Sequence, residues 1–389
     1  MCQIDKKWYV QINFFYCNLT FFAKKSFWIL IYIPFLFYET GVLLVSELEE
    51  ISKMTIYPQI MEFPEQIEFA LKTKIGNLPK ASKVCICGIG ASSIAGDIMT
   101  DYADGFSNLP IPVVRSMELP KWVDDDTLVI VISYSGNTRE TLHMYDLAMN
   151  RRSKIICITS GGELTDKCTA DKNVLVKVPL KTSSRGSLGY LLGSLAVIFE
   201  EMGICNGRTE LYNMLDGLKD FRNSLMKDDK NKALAIAKTV QDRIPVIYGL
   251  VNIRSSTIRW KTQINENSKM IAFCGMLPEF NHNEIIGWTE DGGAENFLPI
   301  VLYDEAASDL MKVIMDSTIE IFRECGFDPF ILRLKCESNM EKNLKFIMTG
   351  DFVSLFLAYF RGVDPCSIQT VTKVKEHVDL SEENRANKH

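Results

Sequence analysis

Residues 127–138 read Thr127-Leu-Val-Ile-Val-Ile132 followed by Ser133-Tyr134-Ser135-Gly136-Asn137-Thr138. Six residues without a charge, β-branched at five positions, make a strand buried on both faces. A parallel sheet covered by helices needs such strands. The loop that follows carries three Ser/Thr hydroxyls and a glycine, then a helical stretch. Upstream, Lys83–Cys87 is a similar apolar run, ending in Gly88-Ile89-Gly90-Ala91-Ser92-Ser93, with a helix expected from Ile94. Downstream, Lys154–Thr159 leads to Ser160-Gly161-Gly162, and Val174–Val178 is a fourth run. Strands alternating with helices predict an α/β fold with a parallel sheet flanked by helices, a three-layer α/β/α arrangement.

The pattern recurs. Strands are expected at Ile244–Tyr248, Met270–Phe273, Leu298–Leu302 and Pro329–Leu334, and a helix at Val353–Phe360. Gly203–Lys232, polar and helical, reads as the linker. Two βα series in one order predict two related domains, 49–208 and 209–389, although no close internal sequence repeat is visible. Before the first strand, Pro64–Leu78 reads as an amphipathic helix with Ile67, Ala70, Leu71 and Ile75 on one face.

Residues 1–48 differ from the rest. Lys24-Lys25 precede a run of apolar and aromatic residues from Phe27 to Tyr38, interrupted by Pro34. Three readings fit: an upstream extension with the true start internal, such as Met54; a membrane anchor; or an extra packed segment. Membrane contact is expected only under the second. With 389 residues and a net charge of −6, no long basic run favours nucleic acid as a partner. The eleven cysteines include no C-x-x-C pair, and four histidines are too few for a zinc site. Buried free thiols in a reducing cytosol are expected.

Ligands of open parallel sheets bind beyond the carboxyl ends of the strands. Two adjacent hydroxyl-rich loops, each opening a helix, suit a phosphate monoester held by backbone N–H groups and Ser/Thr hydroxyls. The alternative is that the serines only cap helices. No G-K-[ST] follows the glycines, so this is no mononucleotide P-loop. A dinucleotide site also fits poorly: Ser93 stands where the third glycine belongs, and no acid closes the next strand at Val113-Val114.

The second concentration of polar residues is Trp260–Trp288. It holds Glu266 within Asn265-Glu266-Asn267-Ser268 and His282 within Asn281-His282-Asn283-Glu284. A carboxylate base and an imidazole beside one small substrate provide what proton transfer next to a carbonyl requires. Glu266 also reads as a solvated helix residue, and Glu279 and Glu284 as structural carboxylates.

The segments GIGASSIAGD, SYSGNTRET, TSGG, SRGSLGYLLG, RWKTQINENSK and PEFNHNEIIGW, in this order over about residues 55–378, resemble the bifunctional phosphoglucose/phosphomannose isomerases, which contain two sugar isomerase (SIS) domains. The resemblance implies a cytoplasmic homodimer with active sites shared between subunits, working on sugar phosphates without metal or cofactor. It implies that Ser92, Ser133, Ser135 and Thr138 bind phosphate and that Glu266 moves the proton between C1 and C2. It further implies that His282, supplied by the partner subunit, and Lys375 open the sugar ring, and that Arg185 faces the enediolate. The family commonly has glycine where Ala91 stands. Another SIS role, a regulator that binds sugar phosphate without turning it over, would need no Glu266, His282 and Lys375 together. The two-SIS aminotransferase that makes glucosamine 6-phosphate fits worse, since residue 3 is Gln and no glutaminase domain fits before residue 55.

Overall fold

A computed structural model describes residues 45–227, 231–289 and 292–386. The three readings of the N-terminal segment therefore fall, up to residue 44, outside the described residues. In chain order the helices are α1 (Val45–Lys53), α2 (Tyr57–Met61), α3 (Phe63–Leu71), α4 (Ala91–Ala103), α5 (Arg139–Asn150), α6 (Gly162–Ala170), α7 (Leu188–Glu201), α8 (Gly207–Lys227), α9 (Lys232–Val240), α10 (Arg254–Ser268), α11 (Asp309–Glu324), α12 (Asn339–Phe360) and α13 (Gln369–Ala386). The strands are β1 (Lys83–Gly88), β2 (Val113–Val114), β3 (Thr127–Ile132), β4 (Lys154–Thr159), β5 (Val174–Lys177), β6 (Ile244–Leu250), β7 (Phe273–Leu277), β8 (Phe297–Tyr303) and β9 (Phe330–Arg333). Among the described residues no helix is long and apolar enough to cross a membrane.

The strands form two parallel sheets. The first has the order β2-β1-β3-β4-β5 and the second β7-β6-β8-β9. The common part of the two orders is identical, as expected of two related domains. All six residues of β3 are buried, and its register places Val131 opposite Cys87 on one side and Cys157 on the other. Cys85, Cys87, Cys157 and Cys168 share one apolar cluster with Val129, Val131, Tyr145 and Leu164. All nine described cysteines are free.

Two helices occupy the interior: Leu188–Phe199 of the apolar α7 and Phe346–Ala358 of α12 are buried throughout. Helix α10 lies on α12, pinned where the Trp260 indole donates to the Phe346 carbonyl at 2.6 Å. Helices α1 and α2, from the N-terminal side, pack on α12, so the N-terminal part of the expected 49–208 domain reaches across to the second half. The expected linker is mostly one 21-residue helix, α8, which packs on both α7 and α12. Ion pairs Lys219–Glu68 and Arg222–Glu65, both 2.8 Å, tie it to α3.

Several element boundaries differ from those expected; α4, for one, starts at Ala91 rather than Ile94. Helix α3 stops at Leu71 instead of Leu78 because Gly76 and Pro79 cannot extend it, and Ile75 is half-buried outside it. The strand expected at Met270–Phe273 begins only at Phe273. Lys269 closes α10 in the left-handed region (φ 52°), and the Asn265 amide holds the Met270 carbonyl at 2.8 Å, which ties the chain to the helix end. The helix expected from Val353 starts at Asn339, where the Ser338 hydroxyl caps it.

Candidate functional site

The order of the first sheet reverses between β1 and β3, and a crevice opens at such a point. The loops bordering it are Ile89–Gly90 and Ser133–Thr138. Ser92 is buried in the first turn of α4, and a Cβ on Gly88 would lie 3.3 Å from its Cβ, so the glycine lets this turn sit close over the strand end. Ser133 is buried; its hydroxyl donates to the Thr138 hydroxyl at 3.0 Å and accepts from the Gly136 N–H at 3.1 Å. Ser135 is exposed and accepts from the Asn137 N–H. Gly136 has φ 73°, and a Cβ there would lie 1.8 Å from the Gly161 carbonyl. Only glycine therefore lets this loop meet its neighbour, and the Asn137 side chain, accepting from the Glu163 N–H at 2.9 Å, joins the two.

The same loop reaches forward to Arg185. The buried Tyr134 hydroxyl donates to the Pro179 carbonyl at 2.9 Å and accepts from the Lys181 and Thr182 N–H groups, both 3.1 Å. Gln59 and Gln66 take over from there. Gln59 Oε1 accepts from the Ser183 N–H at 2.9 Å, and Gln66 donates to the Gly186 carbonyl at 2.8 Å. Arg185, 6% exposed, is thus delivered on a tethered segment. Its Nε donates to Asn267 Oδ1 at 2.8 Å, its Nη1 to Glu266 Oε2 at 3.3 Å and its Nη2 to the Pro365 carbonyl.

Glu266 lies near the carboxyl end of α10 with its side chain 44% exposed. The arginine beside it is nearly buried and always charged, so the pair is a fixed cation next to a solvent-accessible carboxylate. Each neighbour is itself held. Asn267 donates to Ser354 Oγ at 2.9 Å. Arg259 donates to the Arg185 carbonyl at 3.1 Å and pairs through two nitrogens with Asp351, at 3.1 and 2.9 Å. The Lys269 ammonium reaches the carbonyls of Pro365 (3.0 Å) and Ser367 (2.7 Å), and burial together with the Arg185 charge pulls its pKa below the usual lysine value.

Gly90, Ala91, Ser93, Arg115, Arg185, Arg259, Thr262, Gln263 and Glu266 are among the residues lining one cleft of about 220 Å³ between α4 and α10. Of the eight residues proposed from sequence, Arg185 and Glu266 come together here. His282 ends a short 3-10 turn (Glu279–His282) after β7, and Lys375 lies on α13; both are exposed, and neither lines the cleft. Ser92, Ser133, Ser135 and Thr138 gather at the adjoining β1/β3 crevice rather than in the cleft lining. The rival carboxylates are engaged elsewhere: Glu284 accepts from the Tyr248 hydroxyl at 2.5 Å and Glu279 from Asn283 at 2.8 Å. Sequence reasoning missed Ser93, Arg115, Asn267, Arg259 and Asp351. Asn267 adjoins Glu266 in the polar run, and Arg115 directly follows β2, where a dinucleotide site would carry an acid.

The second sheet has its own reversal, between β6 and β8. There the chain's own Asp304 carboxylate, fully buried, accepts from Lys342 at 2.5 Å, Asn252 at 2.9 Å and the Ala306 N–H at 2.9 Å. A buried carboxylate, paired with Lys342, thus sits at the reversal of the second sheet.

Residues 77–185 match the SIS domain family, and residues 229–378 match the bacterial phospho-glucose isomerase C-terminal SIS domain. A bifunctional phosphoglucose/phosphomannose isomerase of Aquifex aeolicus is 33% identical, over 83% of this chain and 98% of its own length. One from Thermoplasma volcanium is 31% identical, over 84% and 100%. A D-glucosamine-6-phosphate 4-epimerase of Sulfolobus acidocaldarius is 29% identical, over 82% and 96%. Among solved structures, the tagatose-6-phosphate ketose/aldose isomerase of Escherichia coli superposes with a TM-score of 0.61 at 15% identity, covering 81% of this chain and 95% of that one, which establishes likeness of fold.

Proposed function

The chain belongs to the bifunctional phosphoglucose/phosphomannose isomerase family, and on that premise we propose that it interconverts glucose 6-phosphate and mannose 6-phosphate with fructose 6-phosphate through a cis-enediol. The observation that carries the site assignment is the Arg185–Glu266 pair: an exposed carboxylate set 3.3 Å from a guanidinium that Asn267 of α10 and the Pro365 carbonyl hold in place.

The phosphate is held at the β1/β3 crevice by Ser92, Ser133, Ser135, Thr138 and the N-terminal N–H groups of α4 and α5. This leaves the sugar chain to extend toward the cleft. His282 and Lys375 exchange protons with the ring oxygen and the anomeric hydroxyl, opening the ring. Glu266 removes the C2 proton while the aldehyde oxygen gains one, giving the enediol. Arg185 stabilises negative charge that develops on the oxygens. Return of the proton from Glu266 to C1, with loss of the C2 hydroxyl proton, gives the ketose. Atoms and electrons balance within the substrate. Phosphate binding far from the reacting carbons supplies orientation.

The exposure of His282 away from the cleft in its own chain supports a homodimer in which the partner subunit supplies it. Division into SIS-type domains at about residue 208 is supported by one sheet on each side of α8. A cytoplasmic place in carbohydrate metabolism accords with this substrate class and with the free thiols.

The test supplies fructose 6-phosphate in chelator-containing buffer and measures glucose 6-phosphate and mannose 6-phosphate by separate coupled assays. Formation of both is expected. Neither product, or turnover confined to glucosamine 6-phosphate, would refute the reading.

A further inference from the structure

The cleft contains a cation that the mechanism above does not use. Arg115 follows the two-residue strand β2, which lies beside β1 on the side away from β3. Arg115 lines the same cleft as the Arg185–Glu266 pair, and its side chain is about one-third exposed. Nε donates to Ser93 Oγ at 3.0 Å, Nη1 to the Val113 carbonyl at 3.4 Å, and Nη2 pairs with Asp97. Asp97 is 3% exposed and lies one turn beyond Ser93 on α4.

Ser93 is thereby committed twice. Its hydroxyl accepts from Arg115 and donates to the Gly90 carbonyl at 2.7 Å, a carbonyl that also accepts the Ser93 N–H at 3.1 Å. Gly90 has φ 62° and precedes α4 without any side-chain cap of its own. The turn that joins the phosphate crevice to the cleft is therefore held by a chain of bonds running from Asp97 through Arg115 and Ser93 to Gly90. A buried carboxylate paired with a guanidinium gains little stability over apolar residues of the same volume. What the pair does supply is a fixed direction for a planar, forked donor.

We propose that Arg115 is a positioning residue for substrate binding: through Ser93 it fixes the Gly90–Ser93 turn, and with it the register of the sugar phosphate between the crevice and Glu266. The proposal rests on the isomerase reading. It assigns Arg115 to binding and leaves the proton transfer to Glu266.

The experiment compares full-length wild type with Arg115→Ala, Arg115→Lys and Ser93→Ala, reading kcat, KM, thermal midpoint, and the calorimetric Kd for fructose 6-phosphate. For Arg115→Ala, KM and Kd should rise roughly tenfold or more, kcat should fall much less, and the midpoint should move only a few degrees. Ser93→Ala should raise KM in the same direction. Arg115→Lys should recover part of the loss, because one ammonium keeps the charge and the Asp97 pair but cannot span both Asp97 and Ser93. An unchanged KM and Kd would overturn the proposal. So would a fall in kcat and midpoint together at constant KM, which marks a merely structural role. If wild type binds fructose 6-phosphate without converting it, the isomerase reading fails, while the Kd comparison still decides the role of Arg115. Failure of wild type to bind it overturns both.

Discussion

Replacing Asp351 by Asn separates the fold's hold on Arg185 from the chemistry Arg185 is placed to do. Asp351 and Arg259 are both nearly buried, at 5% and 3% exposure. The carboxylate accepts two bonds from the guanidinium, at 3.1 and 2.9 Å, and the guanidinium's third is to the Arg185 carbonyl at 3.1 Å. The amide keeps the shape but removes the charge and turns one acceptor into a donor facing a donor. Breaking one partner of a buried pair leaves an uncompensated ion and costs about 3–5 kcal/mol. Unfolding entropy scales with chain length, so for a body this large each kcal/mol moves the midpoint by roughly 1–2 °C, giving a fall of about 3–10 °C. Activity should fall further than the folded fraction does, because the Arg185 carbonyl loses its anchor and the guanidinium its place beside Glu266. The double variant Arg259→Met/Asp351→Leu makes the distinction. It should regain most of the stability, since apolar pairs of similar volume replace buried ion pairs at little cost, yet regain little kcat. The measurements are thermal unfolding and steady-state isomerisation on the same preparations. A single variant within 1 °C of wild type, or a double variant with full kcat, would refute the reasoning.

The other predictions concern the base, the proposed subunit sharing, the loop glycine and pH. Glu266→Gln should lower kcat by at least about a hundredfold while fructose 6-phosphate still binds, and unchanged turnover would remove Glu266 as the base. Mixing and reassembling inactive Glu266→Gln and His282→Ala chains should restore part of the activity through sites built from one intact residue of each; no recovery in verified mixed dimers would place both residues in one chain's site. Gly136→Ala puts a Cβ 1.8 Å from the Gly161 carbonyl at φ 73°, so a loss of about 3 kcal/mol or more in thermal or urea unfolding is expected, and a neutral result would mean the two loops do not touch. Asp101, against the Ser255 N–H of α10, is pushed up to about 7, chiefly by burial, from its ordinary 3.8. The folded state therefore holds this proton more tightly than the unfolded chain. The contribution is full below about pH 4 and is lost as pH rises through 7, amounting to about 2–3 kcal/mol between pH 5 and pH 8. Asp101→Asn should remove that part of the decline in urea unfolding across this range, and identical slopes for variant and wild type would contradict the assignment.

The sheets were legible because their strands are continuous apolar runs, whose one requirement is cover on both faces. Val84–Cys87 and Thr127–Ile132 are too short and too β-branched to be much else. Met270–Phe273 looks equally apolar, yet the strand starts at its last residue, because the Lys269 ammonium and the Asn265 amide hold the preceding segment through backbone carbonyls. Bonds of that kind depend on which carbonyls tertiary packing presents, and no residue pattern records them. The site divides along the same line. Glu266 stands out by type and setting and Arg185 only through the resemblance of its motif, whereas their neighbours Arg259, Asp351, Asn267 and Arg115 are ordinary polar side chains on helices or beside a short strand. Their function is acquired only when α4, α10 and α12 meet. The duplicated architecture sharpens the point. Both sheets reverse order at the same place, and sequence alone would allow an anion at either. What distinguishes them is one buried carboxylate: Asp304, held by Lys342 and Asn252, lies at the second reversal, and the described first-sheet loops carry Ser and Thr hydroxyls there instead.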